Sequence, residues 1–122
     1  KSDLLDLLSV IENNKEFKLK QIDISDKYCS TIILTSKGYP EKYEIGIPIT
    51  GLEKYDDKYF TFHAGTIKEE NEILTNGGRV IAISSLGEGI DESLQNAYKA
   101  TKNIHFNGMY YRRDIGLDLI SK

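Results

Sequence analysis

The chain has 122 residues, of which 39% are hydrophobic and 29% charged, enough for one compact core and too few for a second full-sized domain. A formal net charge of -3 argues against a general duplex-binding surface, which must neutralise many phosphates, and leaves only local basic clusters. Cys29 is the single cysteine and His63 and His105 are the only histidines, so neither an internal disulfide nor a cysteine-rich zinc site can form, and a histidine metal site would need carboxylates.

In chain order, Ser2 reads as an N-cap with Asp3 favouring the helix N-terminus, and Leu4, Leu5, Leu7, Leu8 and Ile11 fall at helical spacing. This helix is expected to end near Asn13 and Asn14. Residues 17–24 and 28–36 are strand-like, the second because β-branched residues dominate it. Gly38-Tyr39-Pro40 breaks the pattern. A short extended segment follows at 43–49, and Pro48 within it removes a ladder donor, which confines it to an edge, a strand start or a bulge; Gly51 closes it. Residues 59–63 and 79–86 are the clearest remaining strands, joined by a segment whose polar tip, Lys68-Glu69-Glu70-Asn71, makes its own turn. From Ile90 the period changes, with Leu94, Ala97, Tyr98, Thr101 and Ile104 on one helical face and Asn107-Gly108 as the expected stop. The closing stretch 109–119 is mixed and is assigned no element. No repeat or low-complexity tract interrupts the order, so the expected class is α+β: a mostly antiparallel sheet with one long packed helix, preceded by a helix belonging to a neighbouring element.

Cysteine usage reads as a reducing compartment, and the expected location is cytoplasmic. The apolar stretches fall far short of the about 20 residues that span a bilayer, and KSDLLDLL lacks a signal-peptide layout. Neither a nucleic acid nor a membrane is an expected partner. A start without Met suggests a piece of something longer.

The stretch TNGGRV, residues 75–80, has two readings. Gly77 and Gly78 can take positive φ and leave N–H groups uncovered for a ligand's oxygens, while Arg79 adds a planar fork suited to phosphate or carboxylate. The plainer reading is a turn, since Asn-Gly between strand-like segments is a strong hairpin signal. If the strands ending at His63 and beginning at Arg79 pair antiparallel, residues 63–66 lie across from 76–79. Two glycine-containing corners then face one another, and the Thr66 hydroxyl, the Asn76 amide and the Arg79 guanidinium join their main-chain donors. Alternatively, Gly65 relieves crowding at a bulge and His63 packs on the sheet. Arg112-Arg113-Asp114 is either a phosphate clamp or a solvated group with a capping Asp. Asp56-Asp57 and Glu69-Glu70 read as solvated turns. There is no P-loop and no GxGxxG, and carboxylates are not clustered at metal-ligand spacing.

FHAGT at 62–66, TNGGRV at 75–80, SLG at 85–87, Ala97-Tyr98 in a helix and IHFNGMYYRRDIG at 104–116 resemble, in order and spacing, the C-terminal domain of phosphoribosylamine–glycine ligases (glycinamide ribonucleotide synthetases), a family of purine biosynthesis. Upstream, Gly38-Tyr39-Pro40, Tyr43 with Gly46, and ITGL at 49–52 fit the same order, and SDLLDLL is similar to the helix leaving the family's ATP-grasp domain. The resemblance covers nearly the whole chain. Lys37 departs from it where a second Gly is common, as does Ser84-Ser85 where Thr-Ala is usual.

The resemblance implies residues 1–16 as the end of an ATP-grasp domain and 17–122 as the C-terminal domain. It also implies a ligase that uses ATP to phosphorylate glycine's carboxylate, after which the amine of 5-phosphoribosylamine displaces phosphate to give glycinamide ribonucleotide. ATP and Mg²⁺, or Mn²⁺, would be held by residues upstream of this chain, which would close one side of the cleft and be inactive alone. Partners would then be the two substrates and the missing N-terminal and ATP-grasp domains. The expected substrate-binding residues are His63, Gly65, Thr66, Asn76, Gly77, Gly78 and Arg79, with Arg112 or Arg113 at the phosphate. None is expected to be catalytic or a metal ligand, and His105 is expected to be structural. The competing classes are a phosphometabolite-binding module acting alone and an interaction module using the eight tyrosines and four phenylalanines.

Overall fold

The structure, a computed structural model, describes residues 2–12, 14–19, 21–53 and 56–120. Short helices α1 (Leu4–Ser9) and α2 (Asn14–Leu19) precede β1 (Tyr28–Thr35). Then come β2 (Tyr59–His63), β3 (Thr66–Glu69), β4 (Glu72–Thr75), β5 (Arg79–Gly87), α3 (Ile90–Thr101) and α4 (Leu117–Ile120). β5 is the middle strand of an antiparallel sheet ordered β1-β5-β2, and β3 and β4 form a separate hairpin. This is the α+β arrangement expected, with α3 as the long packed helix.

Alternation decides which face of the sheet is core. The register sets Ile32 opposite Ile83 and Leu34 opposite Ile81, so these four side chains share a face, and all are at most 1% exposed. α3 lies on β1 and β5, burying Ser93, Leu94, Ala97, Ala100 and Thr101, and Ile104 and Phe106 complete the cluster. Burying hydroxyls here requires partners. Ser93 Oγ donates to the Ile90 carbonyl at 2.9 Å, so its 2.6 Å contact with Ser30 takes the proton from Ser30. Ser85 donates to the Ser93 carbonyl. Ser84, on the other face, pairs with Thr31 at 2.7 Å. Both serines of the unusual Ser84-Ser85 pair are thus hydrogen-bonded.

Several expectations are corrected at the chain's ends. Asp3, not Ser2, caps α1, accepting from the Leu5 and Asp6 amides at 2.8 and 3.2 Å; Ser2 instead bonds Asp23 through its amide and hydroxyl. α1 ends at Ser9, earlier than periodicity suggests, and Asn13 lies outside the described residues. The strand expected at 17–24 is absent, since α2 runs helical to Leu19 and 21–26 join no sheet. Lys18 and Glu16 are good helix formers that also complement the helix dipole, and among the described residues no strand pairs with this segment. α3 stops at Thr101 rather than at Asn107-Gly108. The Lys102 and Asn103 amides turn back to the Lys99 and Ala100 carbonyls, and His105 exchanges backbone hydrogen bonds with Thr50. That pairing carries Ile104 and Phe106 into the core.

The segment around Pro48 runs beside β4, with Gly46 and Ile49 amides donating to Thr75 and Ile73 carbonyls and Pro48 opposite Leu74, an edge position that tolerates its missing donor. The unassigned stretch 109–119 crosses the free edge of β1, where Tyr110 pairs with Thr35, and ends in α4.

Phe106→Ala empties a site whose side chain is 2% exposed and is expected to cost about 3–5 kcal/mol in urea unfolding. A graded pair tests the turn at Gly51. Gly46 and Gly51 have φ of +79° and +83°, but a Cβ at Gly46 meets nothing within 4 Å, whereas one at Gly51 falls 1.8 Å from the Asn103 carbonyl oxygen. Gly46→Ala should therefore cost only the left-handed strain, about 1–2 kcal/mol, and Gly51→Ala measurably more in the same assay.

Candidate functional site

The two glycine corners do meet. β2 leads through Ala64 and Gly65 into β3, and β4 leads through Asn76, Gly77 and Gly78 into β5. The Ala64 and Gly65 amides both donate to the Val80 carbonyl at 3.0 and 3.2 Å, and the Asn76 amide donates to the Gly65 carbonyl at 2.7 Å. The glycines are needed for space. A Cβ on Gly65 would lie 2.5 Å from the Arg79 carbonyl oxygen and 2.8 Å from Gly77 Cα, and one on Gly77 would lie 3.1 Å from Gly65 Cα. Two expectations change accordingly. Neither Gly77 nor Gly78 has positive φ, and Asn76-Gly77 closes no hairpin, because β4 pairs with β3 while β5 pairs with β1 and β2. The signal marks a crossing between two sheets.

Ser36 ties a third loop to this crossing. Its amide donates to the Gly78 carbonyl at 2.8 Å and its hydroxyl to the Gly77 carbonyl at 2.9 Å. The Gly77 and Gly78 amides make no hydrogen bond among the described residues. Just beyond Ser36, Tyr39 lays its ring where a Gly78 side chain would be, with Cδ2 2.1 Å from the position of a Cβ.

An open groove of about 490 Å³, lined by Ile33, Tyr39, Tyr43, Ala64, Gly65, Gly78 and Arg79, runs over the crossing. A second hollow of about 220 Å³ shares Ile33, Tyr39 and Arg79 with it and adds Thr31, Thr35, Tyr110 and Arg112. Arg79 is exposed and makes no ion pair among the described residues, so its fork is open to an anion.

Of the other expected residues, Gly65 and Gly78 share the open groove with Arg79, and Arg112 shares the second hollow with it. Arg112 Nε and Nη2 donate to the two Asp114 carboxylate oxygens at 2.9 and 2.8 Å, leaving Nη1 outside the pair. That hydrogen bond, and secondarily the charge pairing, raises the Arg112 pKa; the same bond holds the Asp114 carboxyl below the usual carboxylate range. Arg113 faces a separate hollow with Met109, Tyr110 and Tyr111. His63 Nδ1 and Thr66 Oγ1 are 2.9 Å apart and satisfy each other, giving His63 an orienting partner that spacing did not reveal. They line neither basin, nor does the exposed Asn76. His105 is exposed and bonded through its backbone to Thr50. Tyr39 is the site residue that sequence reasoning left without a role; the signal available was its place between Gly38 and Pro40. Among the described residues no three His, Cys, Asp or Glu gather as a metal group, and no helix is long and apolar enough to cross a membrane.

Residues 29–118 match the family described as phosphoribosylglycinamide synthetase, C domain. A phosphoribosylamine--glycine ligase from Caldanaerobacter subterraneus subsp. tengcongensis is 42% identical over 112 residues, covering 90% of this chain and 27% of that protein. A trifunctional purine biosynthetic protein, adenosine-3, from Gallus gallus is 37% identical over 99% of this chain and 12% of its own length. Among solved structures, the phosphoribosylamine--glycine ligase of Thermotoga maritima superposes with a TM-score of 0.71 at 30% identity, covering 86% of this chain and 26% of that one. This chain therefore spans about a quarter of the length of the ligases it matches. Matched over residues 29–118, the chain that builds this crossing of glycine corners belongs to the phosphoribosylglycinamide synthetase C-domain family.

Proposed function

We propose that this chain serves as the C-terminal domain of an ATP-dependent ligase joining glycine to 5-phosphoribosylamine, with residues 1–16 the tail of the preceding ATP-grasp domain and 17–122 the domain itself. The observation that carries the reading is Arg79, without an ion pair among the described residues and set at a crossing where backbone meets backbone, on a groove next to a hollow that it shares with Arg112. ATP with Mg²⁺ or Mn²⁺ supplies the activation of glycine's carboxylate in such a ligase. ATP and the metal are assigned to the preceding domains, and this chain's residues to the substrate.

Their work is positioning and charge stabilisation. Arg79 engages an anionic oxygen of the phosphoribosyl or glycyl end. Gly77 lines neither basin and Gly78 is buried beneath the Tyr39 ring, so these two glycines serve by making room at the crossing rather than as main-chain donors. Arg112, oriented by Asp114, offers Nη1 to the phosphate from the second basin. Arg113, on its own hollow, is the weaker of the two candidates for that contact. His63, Thr66 and Asn76 border the crossing; the His63–Thr66 bond fixes the turn into β3, and His63 is assigned binding rather than proton transfer. Gly65 permits the approach. The isolated chain holds half of a cleft and is assigned no turnover. Its other half is assigned to the N-terminal and ATP-grasp domains, in the cytoplasm where both substrates would be met.

A second reading, an interaction module, draws on the exposed outer face of the sheet, where Phe60 and Phe62 are 52% and 53% exposed with ring centroids 6.5 Å apart. The two readings separate on kinetics. In a full-length ligase carrying this chain, Arg79→Ala removes one charge-assisted contact worth about 1.5–3 kcal/mol and is expected to raise the apparent KM for phosphoribosylamine about 10- to 100-fold with the fold intact. Unchanged kinetics would remove Arg79 from the site and leave the interaction module.

A further inference from the structure

Taking the groove as the substrate site, we infer that Tyr39 is a substrate-contact residue, an aromatic wall against which the sugar of the phosphoribosyl group packs while Arg79 holds its anion. Three independent features place it there. Its ring lies on Gly78, with Cδ2, Cε2 and Cγ at 2.1, 2.7 and 3.0 Å from where a Cβ would be, so the glycine leaves room for the ring as well as for the crossing. It lines both basins that share Arg79. Its loop is fixed, since Ser36 is bonded to both glycine carbonyls, the Tyr39 amide donates to the Ser36 carbonyl at 3.2 Å and the Glu41 amide donates to the Gly38 carbonyl at 2.8 Å.

The chemistry follows from what the ring is not doing. Tyr39 is 41% exposed, its hydroxyl has no hydrogen-bond partner among the described residues, and its one ring neighbour, Tyr43, lies 6.1 Å away at a tilt of 57°. A core tyrosine would be covered and its hydroxyl paired. This one instead offers an uncovered aromatic surface beside an open guanidinium. Such a pair suits a ligand with a C–H-rich ring joined to an anion, which is the makeup of a pentose phosphate. Stiffness matters too: a wall held by backbone bonds loses little freedom when the ligand arrives. Ring area carries the contact, so Phe should serve and Leu should not.

The test uses a full-length ligase carrying this chain, with Arg79→Ala measured alongside. Tyr39→Leu should raise the apparent KM for phosphoribosylamine about tenfold with kcat held within about threefold, and Tyr39→Phe should stay within about threefold of the unsubstituted enzyme. An unchanged KM in Tyr39→Leu while Arg79→Ala is impaired would overturn the role of Tyr39 and leave the groove standing. An unaffected Arg79→Ala would fell the groove and Tyr39 with it. Should Tyr39→Leu fail to fold, nitration of the unsubstituted ligase by tetranitromethane, read by mass spectrometry, decides. Glycinamide ribonucleotide should protect Tyr39 at least about fivefold if the ring is covered by a ligand that excludes the reagent; equal nitration with and without it would overturn the inference.

Discussion

Everything at the candidate site depends on two turns passing closer than any side chain allows. With a Gly65 Cβ falling 2.8 Å from Gly77 Cα, the chain between β2 and β3 and the chain between β4 and β5 touch along their backbones. The contact is locked by hydrogen bonds from Ala64 and Gly65 to Val80 and from Asn76 to Gly65. Closeness of this kind is rigid, because no rotamer can absorb a displacement. It fixes where β5 begins, and with it the position of Arg79.

From that point the remaining parts are placed in sequence. β5 continues as the central strand, so Arg79 is anchored to the core through Ile81 and Ile83, both 0% exposed. Ser36, at the end of β1, reaches the carbonyls of Gly77 and Gly78 and brings the Gly38-Tyr39-Pro40 loop over the crossing. Tyr110, bridged to Thr35, carries the following Tyr111 and Arg112 to the second basin. The groove is therefore assembled from β1, the loop carrying Tyr39 and Tyr43, the two glycine corners and the start of β5. The second basin is assembled from β1, Arg79 and the 110–115 stretch, while Arg79 and Arg112 stay exposed.

How much of this was legible in the sequence varies with the physics involved. Residues 28–36, 59–63 and 79–86 are found because β-branched residues and alternation report directly on a half-buried sheet, and α3 because Leu94, Ala97 and Thr101 repeat at helical spacing. The pairing of corners 63–66 and 76–79 follows from strand order alone. What local pattern cannot report is competition. Residues 17–24 read locally as a strand, whereas α2 runs to Leu19 and, among the described residues, 21–26 join no sheet. The end of α3 is set by Thr50, some fifty residues away, pairing with His105. The positive φ expected of Gly77 and Gly78 gives way to a steric need, as the crowding reading of Gly65 anticipates, and Tyr39 has no visible role in the sequence because its neighbour, Gly78, is distant along the chain. Membership of the synthetase C-domain family rests on motifs spread over nearly the whole chain, so it survived these local errors.

The crossing turns a sequence signal usually read as a hairpin into a fixed platform beside a guanidinium with no ion pair among the described residues, and the central claim is that this platform receives the substrate's anion. A crystal structure of a full-length ligase carrying this chain, with glycinamide ribonucleotide bound, tests it directly. The account predicts a ligand oxygen within about 3 Å of the Arg79 guanidinium, with the sugar against Tyr39. A product bound elsewhere in the cleft, with Arg79 and the groove facing only water, would contradict it.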